Sequence, residues 1–202
     1  MRLYVLARHA ESVLNLENRV NGDPRVRAPL TERGREEAAL LGLEVRGLLL
    51  DACVHTRFGR TLETARIALE GRDIPLVEDE LLDDVRVGEL EGLSVDEYRA
   101  WKRKHLRSDR FPGGESLDES ARRYAEAFRR LLELPYERVL VVCHEIPIRY
   151  ALNAAGSSDD LDAPVHAIPN ATPFMFDEGR LAEAAAAIDG LATEEPGTRL
   201  PR

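Results

Sequence analysis

The chain has 202 residues, enough for one domain of ordinary size with a real core. Its 32% charged and 44% hydrophobic residues describe a globular protein rather than a disordered or membrane-embedded one. A formal charge of −9, from 28 basic and 37 acidic residues, argues against nucleic acid or an anionic membrane as the main partner. A small phosphorylated substrate responds to a local cationic pocket, so net charge leaves it open. Cys53 and Cys143 each lie in an apolar run and read as small hydrophobes, which with no disulfide framework favours a cytoplasmic setting. The start lacks a basic segment followed by a long apolar one, so no signal peptide is expected. No apolar run approaches the roughly 20 residues of a membrane-spanning helix.

Residues 2–7 form an apolar run that predicts a buried strand, and Arg8-His9-Ala10-Glu11-Ser12 follows it. The C-terminal end of such a strand is where open α/β sheets place ligands. A loop over 15–29 leads to Thr31, a candidate N-cap with Leu30 as staple, for a helix reaching about residue 49. Residues 51–55 predict a second strand, 59–69 a helix and 74–77 a third strand. The acid- and glycine-rich stretch 81–92 lacks periodicity and reads as a loop. A helix over 95–107, a break at 111–114 and a helix from 115 to about 134 come next. Arg138-Val-Leu-Val-Val-Cys143 is the clearest buried strand, with His144 at its end and a helix over 147–155 beyond. Residues 171–176 and 180–188 fit a terminal hairpin, although the second is alanine-rich enough for a helix. Residues 193–202 read as a flexible tail. The alternation predicts an α/β fold: three αβα layers around a mostly parallel sheet, a single domain over 1–192 with a cap segment near 93–115.

His9 alone is weak evidence, because a histidine at a core edge is commoner than a catalytic one. His144 stands at the end of a second buried strand, and a parallel sheet sends both ends to one rim. Arg60, just past the strand 51–55, reaches the same rim. Two arginines and two histidines around one point suit a phosphoryl group, whose oxygens accept bidentate guanidinium bonds.

These segments resemble the histidine phosphatase superfamily, also called phosphoglycerate mutase-like. Arg8-His9-Ala10-Glu11-Ser12 is similar to its Arg-His-Gly-Glu-Thr signature, and Pro29-Leu-Thr-Glu-Arg-Gly34 to its Pro-Leu-Thr-x-x-Gly. The stretch from His55 to Ala65 resembles the segment bearing the family's second arginine, which falls on Arg60 and not Arg57. Gly88-Glu-Leu-Glu-Gly92, Pro112-Gly-Gly-Glu-Ser116 and Val141-Val-Cys-His144 with Ile148-Arg149 continue the matches in order, and Pro169-Asn170 extends them. The resemblance implies a phosphohistidine on His9, with Arg8, Arg60 and His144 neutralising the phosphoryl oxygens and Asn15 contacting substrate. It implies no cofactor, and no metal-ligand cluster stands out in the sequence.

The family's proton donor is usually a glutamate at the position of Asp84, whose carboxyl is shorter by one bond. Glu145 replaces a common glycine and is a rival donor, a wall that reshapes the pocket, or a repellent for carboxylated substrates. Asp84 is the favoured acid, and Asp83 reads as a solvated loop acid. Ala10 for glycine requires that the backbone there avoid positive φ. His55 is expected near the pocket edge. His105 and Lys102-Arg103-Lys104 are expected on a solvated face, with a basic lid as the lesser reading, and His166 as structural or exposed. Tyr98, Trp101 and Phe111 wall the pocket or pack the cap. The expected activity is hydrolysis of a small phosphorylated metabolite, with α-ribazole or sugar phosphates both open. A phosphoglycerate mutase is the first alternative and a phosphate-binding domain without turnover the second. The mutase's longer insertion and Glu-Arg-x-Tyr-Gly run are missing after Asp84. A homodimer is compatible with the sequence.

Overall fold

Five strands form the central sheet of the computed structural model, which describes residues 2–193. They are β1 (Leu3–Arg8), β2 (Ala52–His55), β3 (Leu76–Glu78), β4 (Arg138–Cys143) and β5 (Pro173–Asp177), in the order β3-β2-β4-β1-β5. All neighbouring pairs are parallel except β1 with β5. The helices are α1 (Val13–Leu16), α2 (Glu32–Val45), α3 (Gly59–Ala68), α4 (Val95–Lys102), α5 (Leu117–Glu133), α6 (Glu145–Ala155) and α7 (Glu178–Thr193).

Strand alternation sorts the core into two layers. Val5, Ala7, Cys53, Leu140 and Val142 face α2 and α3, meeting Ala38, Leu41, Val45 and Ala65. Tyr4, Leu6, Val54, Val139 and Val141 face α5, α6 and α7, where Tyr124, Phe128, Ile148 and Ile188 cover them. Successive side chains of a strand point to opposite faces, so apolar residues at every position require helices on both. The α/β architecture of three layers with a mostly parallel sheet is therefore present. Cys53 and Cys143 are free, buried, and pushed up to about 12 by burial. Among the described residues no helix is long and apolar enough to cross a membrane.

Local signals account for the helix starts. Thr31 accepts from the Gly34 N–H at 2.9 Å, and Ser94 and Ser116 form capping boxes with Glu97 and Glu119. Gly34 is needed because a Cβ there would lie 2.0 Å from the Glu11 carbonyl oxygen. Boundaries moved elsewhere. The third strand runs over Leu76–Glu78 rather than 74–77, since Pro75 has no N–H and serves only as acceptor for Cys53. The first long helix stops at Val45, ahead of the expected residue 49, and α4 stops at Lys102 rather than 107. Beyond α4 the chain turns, and His105 stacks on Trp101 with ring centroids 3.8 Å apart. The stretch 81–92 contains two 3-10 turns, Glu80–Leu82 and Gly88–Leu90. No terminal hairpin forms: β5 pairs with β1, and α7 buries Leu181, Ala184, Ala185 and Ile188 at helical spacing. The expected tail lies outside the described residues, apart from Thr193 at the end of α7.

Phe128 is fully buried between α5 and the sheet, whereas Leu43 on α2 is 58% exposed. Phe128→Ala is expected to cost about 3–5 kcal/mol in urea unfolding. Leu43→Ala should change stability by less than about 0.5 kcal/mol. Equal losses would contradict the layer assignment.

Candidate active site

Sheet order brings the two histidines together. β1 and β4 are neighbours in the register Arg8↔Cys143, so His9 and His144 leave the sheet side by side, with ring centroids 5.4 Å apart. β2 borders β4 on its other side, which places Thr56 next to His144 and α3 just beyond. Arg60, in the first turn of α3, then reaches back between both imidazoles.

Each histidine is held in one tautomer. His9 Nδ1 lies 2.8 Å from the Ala10 carbonyl oxygen, which only accepts, so the neutral ring carries its proton on Nδ1. Nε2 is left as a lone pair and accepts from Arg60 Nε at 2.9 Å. His144 Nδ1 accepts from Arg60 Nη2 at 3.1 Å, so its Nε2–H donates to Thr56 Oγ1 at 3.0 Å. Thr56 then donates its hydroxyl hydrogen bond to Thr61 Oγ1, and the Thr61 hydroxyl donates to the Phe58 carbonyl. Both rings are buried. Burial first, and the Arg60 guanidinium second, hold each well below the usual histidine value, so both are neutral at pH 7.

Arg60 is 3% exposed. It also donates to the Asn21 side-chain and backbone oxygens and to Asp84 Oδ2, the last at 3.2 Å, and lies over the Phe58 ring. Burial lowers its pKa to about 10, still charged at neutral pH. Arg8 donates to the Ile168 carbonyl at 2.7 Å and pairs with Glu145 at 2.9 Å. Asp84 Oδ2 is 3.5 Å from His144 Nδ1. Burial raises the Asp84 pKa against the pull of Arg60, which suits a carboxyl that must hold a proton. Arg8, His9, Asn15, Asn21, Arg60, Asp84 and Glu145 line one cavity of about 260 Å³, and the buried His144 stands behind them.

The Asp84 loop is fixed from α5. Arg123 donates to the carbonyls of Leu81, Asp83 and Asp84 and pairs with Glu115, whose carboxylate accepts from the Arg86 N–H. Gly88 sits at φ +55°, and a Cβ there would lie 2.1 Å from the Pro112 carbonyl oxygen. The Gly-x-x-Glu-Gly and Pro-Gly-Gly-Glu-Ser segments thus clasp each other. This clasp sets where the shorter Asp84 side chain is presented.

Several expectations change. Asp83 is not a solvated loop acid: it is 1% exposed and pairs with Arg57 at 2.6 Å. That pair also keeps Arg57 out of the cavity. His55 is buried against the Thr56 carbonyl and does not line the cavity, because β2 turns its side chain away. Lys102, expected on a solvated face, is half-buried and lines the cavity, and the exposed His166 lies at its edge. Phe111 packs with Tyr98 and Trp101 under the cap, while Tyr98 also faces the cavity. Ala10 avoids positive φ and is fully buried, so the exchange for glycine is harmless. Asn15 lines the cavity, but its Oδ1 is taken by the Ser12 N–H and hydroxyl, leaving its amide N–H₂ to face a ligand.

Sequence reasoning missed Asn21, Thr56, Thr64 and Glu91. Glu91 accepts from Asn21 Nδ2 and the Gly22 N–H, holding Asn21 against Arg60. Thr64 accepts from the Ala10 N–H, and Asn170 donates to the His9 carbonyl at 2.7 Å. The glutamate of Gly-x-x-Glu-Gly was the available signal for Glu91, because a motif acid without a chemical task needs a structural partner. Among the described residues no group of three or more His, Cys, Asp or Glu side chains is placed to hold a metal ion.

Depressed histidine pKa values have a consequence for stability. Unfolded histidines take protons near pH 6.5 while His9 and His144 refuse them until far lower, so the unfolded state binds more protons there. Unfolding free energy is therefore expected to rise with pH between about 5.5 and 7. His9→Asn should weaken that slope, read by urea unfolding across the range. Imidazole NMR signals of His9 that titrate near 6.5 would contradict the burial argument.

Residues 4–175 match the sequence profile of the histidine phosphatase superfamily (branch 1). A protein of Gloeobacter violaceus named 2,3-bisphosphoglycerate-dependent phosphoglycerate mutase 2 is 35% identical over 167 residues, 75% of this chain and 74% of its own. Among solved structures, Bacillus stearothermophilus YhfR has a TM-score of 0.76 at 29% identity, covering 87% of this chain and 90% of its own. An alpha-ribazole phosphatase from Shigella flexneri has the same TM-score of 0.76 at 22% identity, with 87% and 90% covered, a likeness of fold.

Proposed function

Since the chain belongs to the histidine phosphatase superfamily (branch 1), we propose that it hydrolyses small phosphomonoesters through a phosphohistidine on His9, with no metal required. The observation that carries this reading is the His9 tautomer. Nδ1–H is committed to a carbonyl, which leaves Nε2 as the lone-pair nitrogen, held by Arg60 Nε at 2.9 Å until a phosphoryl group takes that guanidinium. That is the form in which an imidazole acts as nucleophile.

Nε2 attacks phosphorus and the bond to the leaving oxygen breaks. The departing alkoxide takes the Asp84 proton. Water then gives a proton to Asp84 and attacks phosphorus. The N–P bond breaks, and phosphate leaves with Nε2 restored. Arg8 and Arg60 neutralise charge on the non-bridging oxygens throughout. A dianion beside His144 favours protonation of its Nδ1, which turns that atom from an acceptor of Arg60 into a donor to phosphate. Asp84 is favoured over Glu145 as acid because Glu145 is tied to Arg8 and to Arg149, at 2.9 and 3.4 Å.

His9→Ala is expected to abolish hydrolysis of a chromogenic phosphomonoester, and a chelator should leave the parent protein active. Acid quenching during turnover should trap no phosphate on the variant and an acid-labile phosphate on the parent. Persistent hydrolysis by His9→Ala would reject the mechanism.

The acid assignment also predicts a pH profile. kcat/KM for alkyl phosphates should fall as pH rises through the raised Asp84 pKa, because the free enzyme must hold that proton. Asp84→Asn should lower it by roughly 10²–10⁴ for alkyl leaving groups and much less for nitrophenolate. The same selective loss in Glu145→Gln would transfer the role.

A mutase is the second reading, favoured by the name of the 35% identical relative. Interconversion of 2- and 3-phosphoglycerate stimulated by the bisphosphate, faster than hydrolysis, would establish it.

A further inference from the structure

The cavity extends well past the phosphoryl-binding groups. One stripe of α4 forms its outer wall: Val95, Tyr98, Arg99 and Lys102 recur at helical spacing and all line it. At 1.5 Å per residue the stripe spans about 10 Å, apolar at its start and cationic at its end. Ile146 and Val20 add apolar lining opposite. The cavity thus offers an apolar stretch beyond the phosphate site and a cation after it.

Charge in this cavity runs against that of the protein. The chain carries −9 overall, yet Arg8, Arg19, Arg60, Arg99, Lys102 and Arg149 line the cavity against only Asp84 and Glu145. Most of these cations are satisfied. Arg8 and Arg149 share Glu145, Arg149 also has Asp162 at 2.7 Å, and Arg60 has Asp84. Arg19 and Arg99 pair with Glu17 and Asp96 at the mouth. Lys102 differs: among the described residues its ammonium has neither an ion pair nor a hydrogen bond, only the Tyr98 ring at 5.4 Å. Burial lowers its pKa, and the pull of the Asp162 carboxylate, which no hydrogen bond or ion pair brings into contact with the ammonium, offsets this only in part. A favourable position in the last turn of α4 accounts for a basic residue there, but not for one turned into the cavity.

We propose that Lys102 is a specificity-determining residue that binds a second anionic group of the substrate, a carboxylate or a further phosphate, joined to the hydrolysed phosphate by an apolar spacer lying on Val95, Tyr98 and Ile146. This deepens the phosphomonoesterase reading and rests on it for the identity of the first site. Glu145 does not oppose such a ligand strongly, since two arginines already neutralise it. Lysine suits the task because a compact ammonium on a long stem meets either kind of anion as a point charge.

The test separates binding from turnover. Matched non-hydrolysable probes are used: n-alkylphosphonates, and the same chains ending in a carboxylate or a second phosphonate. Calorimetric titration of the full-length protein should show the doubly charged probes binding about tenfold more tightly than the alkyl ones at one favoured spacer length. In Lys102→Gln that preference should vanish, and in Lys102→Arg it should largely return. A second anion that brings no gain in the parent, or a gain that survives in Lys102→Gln, overturns the proposal. The carboxylate and phosphonate arms distinguish the two sources of the anion. A parent that shows the preference but hydrolyses no ester defeats the phosphatase reading while keeping the second site. Hydrolysis with no preference does the reverse.

Discussion

Arg60 is the group on which the rest of the site depends. A buried guanidinium is stable only if its N–H groups find acceptors, and here they find His9 Nε2, both oxygens offered by Asn21, Asp84 and His144 Nδ1. Both imidazoles must be neutral to accept, and a neutral imidazole accepts only at the nitrogen without a proton. The carbonyl of Ala10 therefore sets Nε2 as the accepting atom of His9, and the Thr56–Thr61 hydroxyl pair sets Nδ1 as that of His144. Protonating either ring would remove an acceptor from Arg60 and set two cations against each other. Charge on the arginine and neutrality of the histidines are one arrangement.

That arrangement is held by segments whose tasks are mechanical. Glu91 fixes Asn21, Arg123 fixes the carbonyls around Asp84, and Thr64 and Asn170 fix the backbone at Ala10 and His9. The proposed nucleophile and acid sit on different loops and need such supports, because an error of about 1 Å in their separation costs orders of magnitude in rate. The shorter Asp84 side chain makes the Arg123 clamp more consequential, since the loop alone decides how far the carboxyl reaches.

The parts legible in the sequence were those encoded locally or in chain order. The apolar run of β4 is legible to the residue, the cap at Thr31 forms as its type suggests, and the ordered motifs point to Arg60, which lines the cavity, over Arg57, which pairs with Asp83. Asn21, Thr56 and Arg123 were not legible. Each acts through partners 39 to 88 positions away, and neither composition nor spacing carries that information. Asp83 reads as solvated because the stretch 81–92 is acid- and glycine-rich without periodicity, yet Arg57 and the Tyr124 hydroxyl bury it. The alanine-rich end was ambiguous for another reason. Alanine favours a helix but marks no distinct apolar face, and packing against α5 and α6 decides for α7 over a hairpin strand.

Glu145 illustrates how one exchange redistributes charge. Standing at the first position of α6, it gains from the helix's positive end, and Arg149 lies one turn on at the spacing where opposite charges attract. Its other oxygen meets Arg8, so an ion-pair chain runs from Arg8 through Glu145, Arg149 and Asp162 to Arg107. Under the proposed function, a phosphate bound between Arg8 and Arg60 shares Arg8 with this carboxylate. The sharing lowers affinity for every phosphate, free product included, and does not distinguish one ester from another. On the proposed reading, discrimination among esters comes from the far side of the cavity, where Lys102 of α4 has no ion pair among the described residues.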